Sequence, residues 1–342
     1  MKLAIHEREG SFSQRWIQFC ENNQISHKVL DFYSTDIVQE LEDCDIVLWH
    51  FHHNDYKDLL FAKQLLFSLE QAGKLVFPNS KTVWHFDDKL GQKFLLESLG
   101  LPLIPTYSFF KKKAALDWIE NSTFPKVFKL RRGAGSANVQ IVKNKSSAKR
   151  ITKKAFSKGF PDFDGKSYFL GRYKKYQNGI ISLKELLKSS LRLFIDRKYS
   201  NLFPTEKGYV YFQDFFPDQN GDIRIIVIGK KAFGIKRLVL KNDFRASGSG
   251  KILYDKEFFD KKTLSLAFKT ARKLESQVCA IDFIYKKSDP YIVEISYGFN
   301  QIGYEDCKGY WSDDLNWIQG PFNPQEWIIE NIIEQYDSEN YK

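Results

Sequence analysis

Residues 280–300, AIDFIYKKSDPYIVEISYGFN, limit the possible folds more than any other stretch of the chain. They read as two strands, AIDFIY and YIVEIS, joined by the polar turn Lys286-Lys287-Ser288-Asp289-Pro290, whose residue types favour turns. Alternation along the second strand places Ile292, Glu294 and Ser296 on one face, with Val293 and Ile295 on the other. A hairpin brings Asp282 back towards Glu294. Two carboxylates inside apolar strands are expensive to bury unpaired. A divalent cation shared between them offsets that cost, and Mg²⁺ favours a few carboxylates supplemented by substrate phosphates. The competing reading is a solvated sheet face on which Asp282 and Glu294 pair with lysines, since buried acids are rare.

A chain of 342 residues, 43% hydrophobic and 16% aromatic, folds rather than staying disordered and can bury two or three cores. Cys20, Cys44, Cys279 and Cys307 have no metal-knuckle or CxxC spacing, so a reduced, cytoplasmic protein is expected. The start, MKLAIHEREG, meets charge too early for a signal peptide. No apolar run approaches the ~20 residues of a membrane span. The net charge of +10 is concentrated: residues 145–208 hold 16 Lys and Arg against 5 Asp and Glu. Such a run is a solvated face, or it captures an anionic polymer or the inner face of a membrane. Tyr, Phe, Lys and Arg interleave over 166–198, as in single-strand binders. A nucleic-acid-binding module, however, leaves Asp282, Glu294 and the GDIR of Gly221–Arg224 unexplained.

Residues 1–105 alternate strands (KLAIH, HKVLDFY, DIVLWHF, KLVFP) with helices (SFSQRWIQFCENN, TDIVQELEDC, YKDLLFAKQLLFSLEQAG). That alternation predicts a parallel sheet covered on both faces. No G-x-G-x-x-G follows the first strand, so a dinucleotide site is not indicated. His50, His52 and His53 follow a strand end, where open α/β sheets bind ligands. In an extended chain His52 and His53 face opposite ways, which favours substrate contact or plain surface over a metal cluster. A helix opens at Asp87-Asp88-Lys89 and stops at Gly100. Pro102 and Pro105 mark a junction, and KKKAALDWIENS is an amphipathic helix. The strand FPKVFKL carries Lys126 and Lys129 and runs into Arg131 and Arg132, then the turn GAGSANV and the returning strand VQIV. Glycine-rich turns expose N–H groups to phosphate, but G-K-[ST] is missing, so this is not a Walker loop. Residues 145–208 are poorly patterned apart from a helical SLKELLKSSLRLF. In YVYFQDFFPDQNGDIRIIVIGKKAFGIKRLVLK strands follow one another, with Gly229-Lys230-Lys231 as a hairpin and Asp222 and Arg224 on one face. The loop NDFRASGSG carries Arg245, the helix DKKTLSLAFKTARKLE precedes the opening hairpin, and Pro324 starts the last helix, PQEWIIENIIEQY.

Five parts in this order resemble the ATP-grasp superfamily of carboxylate–amine ligases, in its glutathione-synthetase-like and ribosomal-protein glutamate-ligase-like branch. They are the DDK helix start, FPKVFKL with its glycine turn, FQDFF before GDIRIIVIG, NDFR, and the D…E-x-S hairpin, within roughly residues 80–300. The resemblance implies an α/β fold: a two-lobed α+β ATP-grasp unit preceded by a parallel-sheet domain. The implied boundaries are 1–105, 106–212 for the first lobe and 213–342 for the second. It implies ATP and Mg²⁺, with Mn²⁺ as a substitute. Lys89 and Lys129 then contact phosphates under a lid, 133–139, that includes Gly133, Gly135 and Ser136. Gln213, Asp214, Phe215 and Phe216 form the adenine hinge, and Asp222 lies near the ribose. Arg224 and Arg245 reach the transferred phosphate, while Asp282, Glu294 and Ser296 hold the metal. Ser296 stands where the family usually has Asn, and Ser136 and Asn138 where the lid usually has glycines. EISYGF, NDFRASGSG and CKGYW are similar to a subgroup associated with bacterial surface-polysaccharide synthesis, which implies a small-molecule or glycan carboxylate and an amine as substrates. The implied reaction is amide formation through an acyl-phosphate; the alternative on the same fold is phosphoryl transfer to a hydroxyl.

Overall fold

The computed structural model describes residues 1–53, 55–132, 139–161, 165–189, 204–217, 219–241 and 243–340. Gly133, Gly135, Ser136 and Asn138 of the glycine-rich turn lie outside the described residues.

Three sheets organise the chain. Strands β1 (Leu3–His6), β2 (His27–Leu30), β3 (Ile46–Leu48) and β4 (Leu75–Phe77) form a parallel sheet in the order β2-β1-β3-β4. Its strands are shorter than their apolar runs suggest, and TDIVQELEDC supplies one helical turn, Ile37–Glu40. A second, antiparallel sheet has the order β5-β8-β6-β7. It comprises β5 (Thr106–Phe109), β6 (Lys126–Lys129), β7 (Val139–Val142) and β8 (Val210–Asp214). The third runs β13-β12-β9-β10-β14-β15, with β11 (Ile252–Leu253) paired to β10. Its members are β9 (Gly221–Ile228), β10 (Lys231–Leu238), β12 (Val278–Lys286), β13 (Asp289–Ser296), β14 (Gly309–Ser312) and β15 (Trp317–Gln319).

The third sheet positions the site, and strand alternation explains how. On one face Ile223, Ile225, Val227, Cys279, Ile281 and Phe283 pack under the helix Lys261–Leu274. On the other, Ile226, Ile228, Phe233, Ile235, Val278 and Ala280 pack against the parallel-sheet domain and the helix Pro324–Asn340. Carried two residues further along each strand, that second face turns from apolar to charged: Arg224 and Asp222 on β9, Arg237 on β10 and Asp282 on β12. Burying the apolar end anchors the sheet; the charged end is where the covering domain stops.

Basic segment 145–208 holds more structure than its pattern suggests. Lys145–Ala155 is a helix whose buried residues are Ala148, Thr152 and Ala155, and Gly165–Gln177 is another. Small buried residues and lysines on the remaining positions leave a weak apolar signal. No described helix is long and apolar enough to cross a membrane.

His50 closes the core beneath the cavity. Its ring stacks on Phe12 at 3.6 Å between centroids, and Phe12 N donates to Nδ1 at 3.2 Å. Burial pushes His50 down to about 3 and His85 down to about 4. Both therefore fold as neutral rings. A histidine held neutral takes up its proton on unfolding, so its contribution is present above the ordinary value near 6.5 and is lost as pH falls. Going from pH 7 to pH 5 is expected to cost about 2 kcal/mol per histidine, at about 1.4 kcal/mol per pH unit. In urea titrations at the two pH values, His50→Gln should flatten this dependence; an unchanged slope would show that His50 does not carry it.

Candidate active site

The hairpin β12–β13 is tighter than its polar sequence implies, turning at Lys287-Ser288 with Lys287 at φ 58°. Asp282 pairs directly with Glu294 on one side and with Arg224 on the other. Glu294, Asp282 and Arg224 therefore form one row across β13, β12 and β9. The expected regular alternation of β13 does not hold. Asp282 opposes Glu294 but Phe283 opposes Ile292, so Val293 is an extra residue in a β-bulge. Ile292 then faces the core with Ile295, and Val293 joins Glu294 on the cavity side. The bulge resolves a conflict in the sequence, where Ile292 needs burial and Glu294 needs the cavity.

Asp282 is clamped. Arg224 Nε and a terminal nitrogen donate to its two oxygens at 2.5 and 2.9 Å. Arg237 donates to it at 2.9 Å while forking onto Asp222 at 2.6 and 2.6 Å. Burial pushes the Asp282 carboxyl upward, but the two guanidinium charges outweigh it and hold the group at about 2. At Asp222 burial outweighs Arg237, leaving the carboxyl above its ordinary value and Asp282 the more acidic of the two. The Tyr304 phenol is buried beside Arg224, and burial raises it to about 12. Neither Arg237 nor Tyr304 was expected from the sequence. Arg237 carries the same signal as Asp282: it continues the Phe233, Ile235 face by one more alternate position.

The helix Lys89–Ser98 brings a lysine to this row. Asp88 caps it by accepting from Leu90 N and Gly91 N at 3.1 and 3.0 Å. Gln92 brackets the edge strand, donating to Ile295 O at 2.8 Å and accepting from Ile295 N at 3.2 Å. So fixed, Lys89 Nζ reaches Glu294 Oε1 at 3.2 Å. Glu294 holds Lys89 above its ordinary value against burial, the largest effect. Lys129 ends β6 and is buried, yet it has no hydrogen bond or ion pair among the described residues. Burial lowers it to about 8, with Glu294 pulling it up and Lys89 pushing it further down.

Lys89, Lys129, Asp222, Arg224, Asp282 and Glu294 border a cavity of about 740 Å³ between the second and third sheets and the first domain, with Arg237 and Tyr304 behind its wall. The described residues that the ATP-grasp resemblance implies for the site line it: Lys89, Lys129, Gln213, Asp214, Phe215, Phe216, Asp222, Arg224, Arg245, Asp282, Glu294 and Ser296. The side chains of the expected hinge are engaged. Gln213 Nε2 donates to Tyr211 Oη at 3.1 Å, Asp214 accepts from Lys126 at 2.6 Å, and Lys286 lies over the Phe216 ring. The Ser296 hydroxyl bonds with Gly298 N and O, both at 3.2 Å, inside its own turn. His50, His52 and His53 also line the cavity. Contrary to the extended-chain expectation, the His52 and His53 rings stack at 4.3 Å, because Asp58 accepts from His52 N at 2.6 Å and the chain turns there. Among the described residues no group of three His, Cys, Asp or Glu is placed to hold a metal. Asp282 and Glu294 offer two carboxylates, a set that suits a cation able to borrow oxygens from a phosphate.

The fold is that of the ATP-grasp proteins. Over residues 188–306 the chain is similar to the RimK-like ATP-grasp domain family. Among solved structures it is similar to the RimK domain ATP-grasp protein of Sphaerobacter thermophilus, at TM-score 0.53 and 14% identity, covering 86% of this chain and 90% of that one. It is also similar to D-alanine–D-alanine ligase of Bacillus anthracis complexed with ATP, at TM-score 0.55 and 13% identity over 99% of both chains. The biotin carboxylase domain of Hydrogenobacter thermophilus 2-oxoglutarate carboxylase, in complex with MgADP, gives TM-score 0.58 and 12% identity, covering 97% of this chain and 69% of that one. No curated protein matches.

The clamp predicts a stability effect. Arg237→Ala strips Asp222 of its forked partner and leaves Asp282 to Arg224 alone, and should cost about 3–5 kcal/mol in a urea titration. Arg237→Lys should recover only part, because an ammonium cannot fork onto Asp222 and also reach Asp282. A loss under about 1 kcal/mol for the alanine variant, the size of an exposed pair, would show that the clamp is not structural.

Proposed function

We propose that the protein is an ATP-dependent carboxylate–amine ligase that forms an amide through an acyl-phosphate. One observation carries most of this reading. Lys129 lines the cavity beside Lys89 and is buried without an ion-pair or side-chain hydrogen-bond partner among the described residues, whereas Lys89 pairs with Glu294 and Arg224 with Asp282. A cavity in which a buried lysine is left for an incoming anion, with a second lysine at the start of a helix beside it, suits a polyphosphate. The MgADP and ATP complexes of structural neighbours support the same choice. The phosphotransferase and nucleic-acid readings have no comparable support.

In this reading Lys89 and Lys129 hold phosphate oxygens, and the backbone of Gln213–Phe216 takes the adenine. Asp282 and Glu294 are the residues to hold Mg²⁺, which supplies positive charge to the phosphate oxygens when bound. Ser296, satisfied within its turn, adds little. A substrate carboxylate attacks the γ-phosphorus; ADP leaves with the bonding pair, and the acyl-phosphate forms. An amine then attacks the acyl carbon, and phosphate leaves. Arg245 and Arg224 lie where charge develops on the transferred group, and donors so placed are worth ~2.7–4 kcal/mol each. The site's burial limits loss of the acyl-phosphate to water. The expected division at residues 1–105, 106–212 and 213–342 would cut β8 (Val210–Asp214) at its second boundary, so the first lobe is proposed to run to Asp214; the resemblance to polysaccharide-associated proteins favours a glycan carboxylate as the acid.

Screening carboxylate–amine pairs for ADP release, with equal free phosphate and amide, tests the reading. ADP release matched by a phosphorylated hydroxyl would overturn it. Glu294→Ala should cut Mg²⁺-dependent turnover far more than Ser296→Ala; wild-type turnover in Glu294→Ala would remove the metal from that place.

Lys129 gives a pH-dependent test. Its value near 8 in the free protein should rise once phosphate charge sits against it. Nucleotide binding at pH 8 is then expected to take up about half a proton, and affinity should fall as pH climbs past 8. Calorimetry in buffers of different ionisation enthalpy measures the uptake. Lys129→Ala should abolish the uptake and weaken binding; undiminished uptake would place the titrating group elsewhere.

A further inference from the structure

Phe299 lines two cavities. Its neighbours Gly298 and Asn300 line the first; Gln301 and Tyr304, a little further on, line a second of about 560 Å³. The second cavity opens between the helix Ser13–Asn22 of the first domain, which contributes Arg15, and the start of the helix Pro324–Asn340, which contributes Gln325. Junctions of this kind are where ligand pockets of this size form. Two contacts hold it together. Gln301 Nε2 donates to Ser11 O at 2.6 Å, and Trp16 Nε1 donates to Gln325 O at 3.1 Å.

Gln325 is only 5% exposed. Its backbone is engaged at both ends, with N donating to Asn323 Oδ1 at 3.2 Å and O taking Trp16. Its side-chain amide has no hydrogen-bond partner among the described residues. A buried amide calls for partners to both its donor and its acceptor. The side chains around it offer the same mixture. Arg15 donates, Glu305 and Asp306 accept, and Gln319 does both; all four are exposed, and none has a side-chain hydrogen bond or ion pair among the described residues. Phe322, half-buried, adds an aromatic ring backed by Trp327 at 5.0 Å between centroids with the planes 13° apart. Charges of both signs on one wall suit neither a polyanion nor a polycation. A sugar fits all of these groups at once. Each hydroxyl both donates and accepts, and the C–H face of the ring lies flat on an aromatic one.

We propose that the second cavity binds sugar rings of the acid substrate, with Gln325 and Arg15 hydrogen-bonded to ring hydroxyls and Phe322 under a ring face. The shared wall at Phe299 puts the bound sugar next to the ATP cavity and leaves the reacting carboxylate to extend past that ring towards the phosphates. This deepens the ligase reading and rests on it for what the sugar carries; the binding of the sugar itself does not.

The test titrates the free protein with maltose, cellobiose, diacetylchitobiose and glucuronic acid, reading saturation transfer from protein to sugar by NMR. At least one of them is expected to bind. Gln325→Ala should weaken it about tenfold, the size of two neutral hydrogen bonds, and Arg15→Ala, a change at an exposed helix position, about fivefold. Lys129→Ala should leave sugar binding unchanged, because that lysine lines the other cavity. If none of the four sugars binds, the proposal is overturned. It is overturned too by sugar binding that survives both Gln325→Ala and Arg15→Ala, or that is lost in Lys129→Ala. Binding of lysine or of tetraglutamate, weakened by the same two substitutions with no sugar bound, would assign the cavity to an amine or a peptide and also overturn it. If a sugar binds as expected while no carboxylate–amine pair releases ADP, the ligase reading fails and the sugar site stands.

Discussion

Asp282 is buried in a strand flanked by Ala280, Ile281 and Phe283, and the rest of the site depends on how its charge is met. Arg224 covers both its oxygens and Arg237 reaches it a second time while holding Asp222. Buried ion pairs of this kind gain little in net stability over apolar residues, yet losing one member is costly. Two bidentate contacts at neighbouring strand positions also fix how β9, β10 and β12 lie side by side. The charged end of the sheet face is thus held rigid by its own counter-charges. Among the described residues, the buried Lys129 is left for a ligand to satisfy.

The same sheet face serves as core and as site. Where the first domain and the helix Pro324–Asn340 cover it, the residues are Ile226, Ile228, Phe233 and Val278. Beyond that cover they are Arg224, Arg237 and Asp282. The cavity floor therefore needs no separate scaffold, because hydrophobic burial of one half supports the polar half. The first domain also contributes directly, through His50 stacked on Phe12 and through the His52–His53 pair at the cavity wall.

Much of this was legible because polar residues at alternate strand positions stand out against apolar neighbours. Asp282, Glu294, Asp222 and Arg224 each break a pattern, and so did Lys129 at a strand end. Arg237 broke the same pattern but sat among Lys236, Leu238 and Lys241, where another cation draws no notice. The bulge at Val293 was not legible, since it depends on a choice between burying Ile292 and exposing Glu294 that only the paired strand settles. The His52–His53 stack was hidden for a similar reason: it depends on Asp58 holding His52 N across a turn. In the basic segment the helix begun by SLKELLKSS was legible, whereas Lys145–Ala155 was not, because its buried residues Ala148, Thr152 and Ala155 are small and set among lysines.

The bulge at Val293 has a consequence for how this hairpin can change over generations. Residues added at Lys287-Ser288 only lengthen a solvent-exposed loop. A residue gained or lost between Ile292 and Glu294 instead swaps inside for outside along the rest of β13. Length variation is therefore tolerated at one end of the hairpin and forbidden a few residues away, by a single unpaired valine.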